Sequence, residues 1–174
     1  MIKKILLTFI LMSSGAFVQA ITVSEIVDKA EKTWQQEKRI TKPKFSLIDL
    51  EGQTHTNQST DGKYLVVNFW ATWCPPCLKE IPALVEFYES NSDKVQVLGL
   101  DYEQADKAVI SEFVESFMVS YPIILFDAHN GVQFAGFGDV FGMPTTYVYN
   151  PEGQLVDFRM GEVDTEFLSQ AILK

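Results

Sequence analysis

The chain contains two cysteines, Cys74 and Cys77, which stand three positions apart. Thiol–disulfide exchange uses one thiolate to attack a disulfide sulfur and a second thiol to resolve the mixed disulfide that forms. A bridge between positions this close together shuts so small a loop that it removes little entropy from the unfolded chain. The pair therefore indicates redox chemistry, and an inert structural disulfide is the weaker interpretation.

The position of the cysteine pair predicts a division of roles. Residues 64–70 are almost continuously apolar, which is typical of a central strand covered on both faces. Beyond the pair, apolar residues recur at helical spacing to about Ser90, with a kink expected at Pro82. A thiolate at a helix start is stabilised by the helix dipole and by unpaired backbone N–H groups. We therefore expect Cys74 to attack and the more buried Cys77 to resolve.

Two prolines, Pro75 and Pro76, separate the cysteines, and neither has a backbone N–H group. Fewer backbone donors then reach the Cys74 sulfur than in a motif with one proline, so its thiolate is stabilised less. We expect a reducing rather than a strongly oxidising disulfide. A disulfide oxidase or isomerase would use the same residues at a different redox potential, so both stay open as alternatives.

The first twenty residues have the pattern of a secretory signal peptide. Lys3 and Lys4 precede an apolar run over residues 5–12, and small residues follow up to Ala20. An uncleaved membrane anchor is the alternative, although the apolar run is shorter than the roughly 20 residues that a spanning helix needs. Either segment would place the rest of the chain outside the cytoplasm, and we expect the periplasm.

Composition limits the partners of the exported chain. The formal net charge is −9, and the predicted signal peptide contributes lysines but no acidic residue, so the mature chain is more acidic still. An acidic surface of this kind argues against nucleic acid as a partner. We divide the chain into a signal peptide at 1–20, an N-terminal helical extension at 21–40 with a helix over 24–38, and one domain at 41–174.

The pattern of strands and helices in the domain predicts an α/β architecture with a mixed central sheet. Alternating strands and helices imply crossover connections and parallel pairing, and a hairpin near the C-terminus adds antiparallel strands. Beside the elements above, we predict strands at 45–50, 95–100 and 123–126, hairpin strands at 145–149 and 155–160, and an irregular segment at 53–63. We also predict a helix from Glu103 to about Val119, with Val109, Phe113 and Phe117 on its apolar stripe. A last helix is predicted from Asp164.

A metal site is the competing explanation for the cysteines. Structural zinc needs about four Cys or His ligands, and His55 and His129 are isolated in the sequence from the pair and from each other. We expect both histidines at the surface and predict no metal or other cofactor. From another functional class, a chaperone or a Cu(I)-delivery adaptor stays open, because two neighbouring thiolates can hold a soft cation.

The run Asn-Phe-Trp-Ala-Thr-Trp-Cys-Pro-Pro-Cys at 68–77, with Gly-Met-Pro-Thr at 142–145, resembles the thioredoxin superfamily. Within it, the chain is most similar to the periplasmic TlpA/ResA-like group, which includes reductants of cytochrome c maturation. The resemblance covers about residues 40–174 and implies a thioredoxin-like three-layer α/β fold behind an N-terminal extension. It also implies a reductase of protein disulfides, with apocytochrome c as a candidate substrate and a membrane-embedded thiol protein as electron donor. We expect a monomer.

The resemblance also implies site residues. Pro144 matches a cis proline that lies against the active-site disulfide, and the backbone of Met143 would bind an extended substrate segment. Trp73 would shield the disulfide and offer a flat apolar contact, although a packing role is the alternative. The expected substrate-binding residues are Trp73, Pro75, Pro76, Met143 and Pro144.

One departure from thioredoxins points to a third catalytic residue. Thioredoxins place a buried aspartate where this chain has Asn68, and asparagine cannot move the proton of the resolving cysteine. The TlpA/ResA-like group often carries a glutamate three residues after the second cysteine, where this chain has Glu80. We expect Glu80 to face the cavity beneath the disulfide, with a pKa raised by partial burial. The alternative is a solvated residue on the helix surface beside Lys79.

Overall fold

The computed structural model describes Thr22, Glu25 and residues 41–173. The predicted signal peptide lies outside the described residues, as does the predicted helix at 24–38 apart from Glu25. In the part of the chain that is described, no helix is long and apolar enough to cross a bilayer.

A five-stranded mixed sheet forms the centre of the domain. Its strands are β3 (Tyr64–Trp70), β4 (Val95–Asp101), β5 (Ile123–Ile124), β6 (Thr145–Tyr149) and β7 (Leu155–Met160). They lie in the order β5-β4-β3-β6-β7, with β3, β4 and β5 parallel and with β6 antiparallel to both β3 and β7. The predicted mixed sheet is confirmed, and β3 is its central strand.

Four helices accompany the sheet in the described residues: α1 (Pro75–Asn91), α2 (Lys107–Ser116), α3 (Gly131–Phe134) and α4 (Thr165–Ala171). Side chains of β3 alternate between two apolar clusters. Val66 and Trp70 belong to the cluster that includes Leu84 of α1, whereas Leu65 and Phe69 belong to the cluster on the opposite face. Burial on both faces explains the nearly continuous apolar sequence of this strand.

The segment predicted as irregular at 53–63 is partly ordered, so that prediction is wrong. It contains β2 (Thr54–Thr56), which pairs antiparallel with β1 (Ser46–Ile48), and a 3-10 helix at Gln58–Thr60. The three-residue length of β2 left too short a pattern to recognise.

His55 of β2 is buried, so its predicted surface position is also wrong. Its Nε2 lies 2.7 Å from Oδ2 of Asp49, and Oδ1 of Asp49 accepts the N–H of Gln53 at 2.7 Å. A polar ring can be buried when a partner satisfies it, and here the partner comes from the adjoining turn. His129 is exposed, as expected.

Helix α2 differs from its prediction in start and in phase. It begins at Lys107 rather than Glu103, because the N-cap residue Asp106 has an extended backbone with φ −65° and ψ 138°. Glu103 lies before the helix, and its side chain accepts the N–H of Thr72 at 2.6 Å. Val109 is 54% exposed and its neighbour Ile110 is fully buried, so the predicted stripe was one residue out of phase at this position. Two further elements differ from the prediction. Strand β5 covers Ile123–Ile124 alone, whereas the predicted strand covered 123–126, and helix α3 was not predicted.

Candidate active site

The cysteine pair lies where the central strand passes into the longest described helix. After Trp70 the chain turns through residues 71–73, and Cys74 is the N-cap residue of α1 with φ −99° and ψ 99°. The backbone N–H of Cys74 donates to the Ala71 carbonyl at 3.2 Å, which closes the turn. Pro75 occupies the first helical position, where a missing N–H costs no helical hydrogen bond. The sequence of this turn therefore places a sulfur at the helix start.

Cys74 and Cys77 form a disulfide, with their Cα atoms 5.3 Å apart. Cys77 is fully buried, whereas Cys74 is 3% exposed and lines a surface groove of about 380 Å³. A substrate sulfur that enters this groove can contact Cys74, whereas Cys77 does not line the groove. This asymmetry agrees with the predicted roles of attacking and resolving cysteine.

The groove brings together four of the five predicted substrate-binding residues, namely Trp73, Pro75, Pro76 and Met143. The side chain of Trp73 is 61% exposed, which does not suit a packing role. Pro144 does not line the groove: it is buried, and its peptide bond with Met143 is cis, as the resemblance implied.

The sequence pattern did not identify two aromatic residues of the groove. Phe141 is 83% exposed and Tyr102 is 41% exposed, and both line the groove with Cys74. Phe141 directly precedes the Gly-Met-Pro run, so its place beside that motif was the available signal. Tyr102 follows the end of β4, and only the parallel pairing of β3 with β4 brings it to the cysteines. The groove therefore offers apolar, aromatic contacts beside the disulfide.

Glu80 lies one helical turn beyond Cys77 and is 2% exposed, so the alternative of a solvated surface residue is wrong. Its Oε1 accepts a hydrogen bond from Nδ2 of Asn68 at 2.7 Å, and its Oε2 accepts the N–H of Val163 at 2.9 Å. Burial raises the pKa of Glu80 to about 7, and the two hydrogen bonds partly oppose this shift. A carboxyl with this pKa can exchange a proton near neutral pH.

Asn68 explains how the carboxyl is held. Its Nδ2 donates both to Glu80 and, at 3.0 Å, to Oγ1 of Thr146 on the neighbouring strand β6. Lys79, which precedes Glu80 in the sequence, points elsewhere and pairs with Glu162 at 3.4 Å on the surface. The buried acid and the exposed base thus occupy different faces of α1.

A second buried acid, Asp101, ends strand β4 and was not identified from the sequence. It is fully buried, and burial together with the charge of Glu103 raises its pKa to about 8. Glu103 in turn accepts the N–H of Thr72, two residues before Cys74. Two carboxyl groups therefore stand behind the turn that leads into the cysteine motif.

The candidate metal ligands do not gather at this site. Neither histidine lines the groove, and no cluster of three or more His, Cys, Asp or Glu side chains that could hold a metal ion occurs within the described part of the chain.

Comparison with known proteins gives a consistent set of similarities. The model of the AhpC/TSA family matches residues 40–158. The thiol-disulfide oxidoreductase ResA of Bacillus thuringiensis (strain Al Hakam) is 32% identical over 133 residues, which cover 76% of this chain and 75% of ResA. The thioredoxin-like protein YneN of Bacillus subtilis (strain 168) is 29% identical over 132 residues, which cover 75% of each chain.

Among solved structures, the thiol:disulfide interchange protein of the thioredoxin family from Chlorobium tepidum TLS has a TM-score of 0.65 and 25% identity. The match covers 76% of this chain and 93% of that protein.

Proposed function

The chain belongs to the AhpC/TSA family and is a thiol-disulfide oxidoreductase of the ResA type, and from this premise we propose that it reduces disulfides of protein substrates outside the cytoplasm. The thioredoxin-like α/β fold that the resemblance implied is confirmed. The observation that supports the exchange mechanism most strongly is the placement of Cys77: it is fully buried, one helical turn from a buried acid whose pKa is about 7.

The proposed reaction begins with the reduced dithiol. The Cys74 thiolate attacks one sulfur of a substrate disulfide, a mixed disulfide forms, and the first substrate thiolate leaves and takes a proton from solvent. Glu80 then accepts the proton of the Cys77 thiol, and the Cys77 thiolate attacks the Cys74 sulfur. The second substrate thiolate leaves, so two electrons have passed to the substrate and the enzyme is oxidised.

The groove supports a protein as the substrate. Trp73 and Phe141 present exposed aromatic surface beside Cys74, and Met143 lines the same groove. An extended segment can place its disulfide sulfur on Cys74 while its neighbouring side chains cover these rings. A small disulfide such as oxidised glutathione would leave most of this apolar surface exposed to water.

The donors around Cys74 support the proposed direction of electron flow. In an N-cap residue the side chain accepts hydrogen bonds from the second or third N–H of the helix, and the second position here is Pro76. The third position is Cys77, so its N–H is the one capping donor that remains; the N–H of Leu78, at the fourth position, bonds to the Cys74 carbonyl at 3.2 Å. The thiolate is therefore stabilised by one donor fewer, which favours the oxidised enzyme and makes the reduced enzyme a better electron donor.

Equilibration with a glutathione or dithiothreitol buffer tests this direction. We expect a reduction potential below about −200 mV, in the range of reductases. Pro76→Ala restores one backbone donor and should raise the potential by about 30 mV, because a hydrogen bond to a charged group contributes about 1.5 kcal/mol. Pro82→Ala, which removes a proline from the same helix at a distance from the sulfur, is the control. A wild-type potential near about −120 mV would instead identify an oxidase.

The proposal also includes a client protein, an electron donor and a cellular location, which the resemblance to the TlpA/ResA-like group implies. Apocytochrome c is the candidate substrate, because its haem-attachment cysteines must be reduced, and a membrane-embedded thiol protein is the candidate donor. Residues 1–20 are the proposed signal peptide. The N-terminal sequence of the protein from a periplasmic fraction should begin at Ile21, and a retained N-terminus in the membrane fraction would indicate an anchor.

A further inference from the structure

Asp101 is a buried carboxyl that the proposed reaction does not use. It is fully buried at the end of β4, and within the described residues neither of its carboxylate oxygens receives a hydrogen bond. The indole nitrogen of Trp70, its register partner on β3, does not donate to it and likewise has no hydrogen-bond partner among the described residues. Buried polar groups are normally satisfied, so this one requires an explanation.

The side chain that acts on Asp101 most directly is another acid, Glu103, both through its charge and through the hydrogen bond that the two carboxyls can share. Two ionised carboxylates offer acceptors alone and cannot bond to each other. A hydrogen bond between them requires one shared proton, as in any close carboxyl pair. The buried member of the pair, Asp101, is the natural holder of that proton, because its charged form is the more poorly solvated.

Glu103 is attached to the active-site turn. Its Oε1 accepts the N–H of Thr72 at 2.6 Å, across 31 positions of sequence. The same turn is held by the N–H of Tyr102, which donates to the Trp70 carbonyl at 2.8 Å, and by the bond from Cys74 to Ala71. The carboxylate of Glu103 is therefore one of the few groups that fix the backbone just before the attacking cysteine.

We propose that protonated Asp101 is a positioning residue: it donates a hydrogen bond to Glu103 and so keeps the Glu103 carboxylate on the Thr72 N–H, which holds the turn before Cys74. The inference rests on the proposed function, since it concerns the placement of the attacking sulfur. Loss of the proton leaves two adjacent negative charges. Glu103, which is half-buried, then turns toward solvent and releases Thr72.

The other charged and titratable groups around Asp101 do not replace this proton. Lys107, at the start of α2, donates its ammonium group to the Leu50 carbonyl. Asp106 is the N-cap residue of the same helix and is exposed. Tyr121 lies beside Gly99, two positions before Asp101 on β4, and burial and the Glu80 charge raise its pKa, so its phenol stays neutral.

The inference predicts a specific pH dependence. Because the pKa of Asp101 is raised to about 8, the proton is present at neutral pH and is lost as the pH rises through that value. Asp101→Asn supplies an amide donor that does not titrate. We expect the ratio of variant to wild-type rates of insulin reduction to be near one at about pH 6.5 and to rise to about tenfold at about pH 9, which corresponds to one charge-assisted hydrogen bond.

The matched control is Glu112→Gln, an exposed acid on α2, for which the ratio should stay flat. A flat ratio for Asp101→Asn as well, with both proteins active, would overturn the inference and leave the proposed function intact. If the wild type reduces no insulin at any pH, the proposed function fails, and the carboxyl pair is still tested by the next measurement.

The amide resonance of Thr72 reports the pair directly in the oxidised wild-type protein. We expect its chemical shift to titrate with a midpoint near pH 8 in the wild type and to lose that transition in Asp101→Asn. If the variant does not fold, the wild-type titration decides alone, because a Thr72 amide without an inflection between about pH 7 and about pH 9 contradicts the shared proton.

Discussion

Replacing Cys77 with serine is expected to abolish turnover and to leave Cys74 joined covalently to its substrate. The serine hydroxyl cannot attack the mixed disulfide, so the reaction stops after its first step. We expect the steady-state rate of insulin reduction to fall by at least about a thousandfold, as when one member of a catalytic unit is removed. The adduct should appear as a species of higher mass in a non-reducing gel and should disappear with dithiothreitol.

The matched control for this experiment is Cys74→Ser. Cys77 is fully buried and does not line the groove, so a substrate sulfur cannot reach it without displacing Cys74. Cys74→Ser should therefore lose activity to the same extent but accumulate no adduct. Equal amounts of adduct in the two variants would contradict the assigned roles. In cells, mass spectrometry of the Cys77→Ser adduct also identifies the client, and recovery of an apocytochrome c would support that part of the proposal.

The active-site turn shows what could be predicted from sequence alone. Strand β3 has the predicted bounds, Tyr64–Trp70, because burial on both faces leaves a continuous apolar run that is visible without neighbours. Helix α1 was also foreseen, since a long amphipathic pattern repeats through several turns. Patterns of this kind can be recognised from neighbouring residues alone. Together, the strand and the helix place the cysteine motif at the turn between them.

The errors arise where a distant residue decides the outcome. Glu103 lies before helix α2 and bonds to Thr72, and nothing near Glu103 in the sequence indicates that contact. His55 is buried because Asp49 satisfies it, and Asp101 resembles an ordinary charged residue at the end of a strand. Charged side chains are seldom buried, so the default prediction is the surface. The second acid at the site could be recognised only after the strands were paired.

We propose different roles for the two buried acids near the cysteine pair. Glu80 is fixed by donors from Asn68 and Val163 and can hold either state, because hydrogen bonds favour its charge and burial opposes it. Asp101 has no donor among the described residues and is suited to the neutral state. Glu80 can therefore move a proton during each cycle, whereas Asp101 can keep its proton. This difference in surroundings separates the two roles.

Glu80→Gln is expected to slow reduction by about a hundredfold at neutral pH, the lower end of the effect of a general base. The variant should still fold, since the carbonyl of the introduced amide can accept the Val163 N–H while Asn68 turns its own amide to accept from the new NH₂ group. The rate of resolution, followed by stopped-flow fluorescence, should also lose its inflection near pH 7. Glu86→Gln, an exposed acid of the same helix, should leave rate and profile unchanged.

The same substitution has a consequence for stability that does not depend on activity. The pKa of Glu80 is raised by folding from 4.5 to about 7, so its contribution to the free energy of unfolding is present below the lower value and is lost as the pH rises through the upper one. Between about pH 5 and about pH 8 the wild type should lose about 2 kcal/mol relative to Glu80→Gln. Urea titrations of both oxidised proteins measure this difference. A constant difference, together with an unchanged rate profile, would mean that Glu80 is ionised throughout and that some other group takes the proton of Cys77.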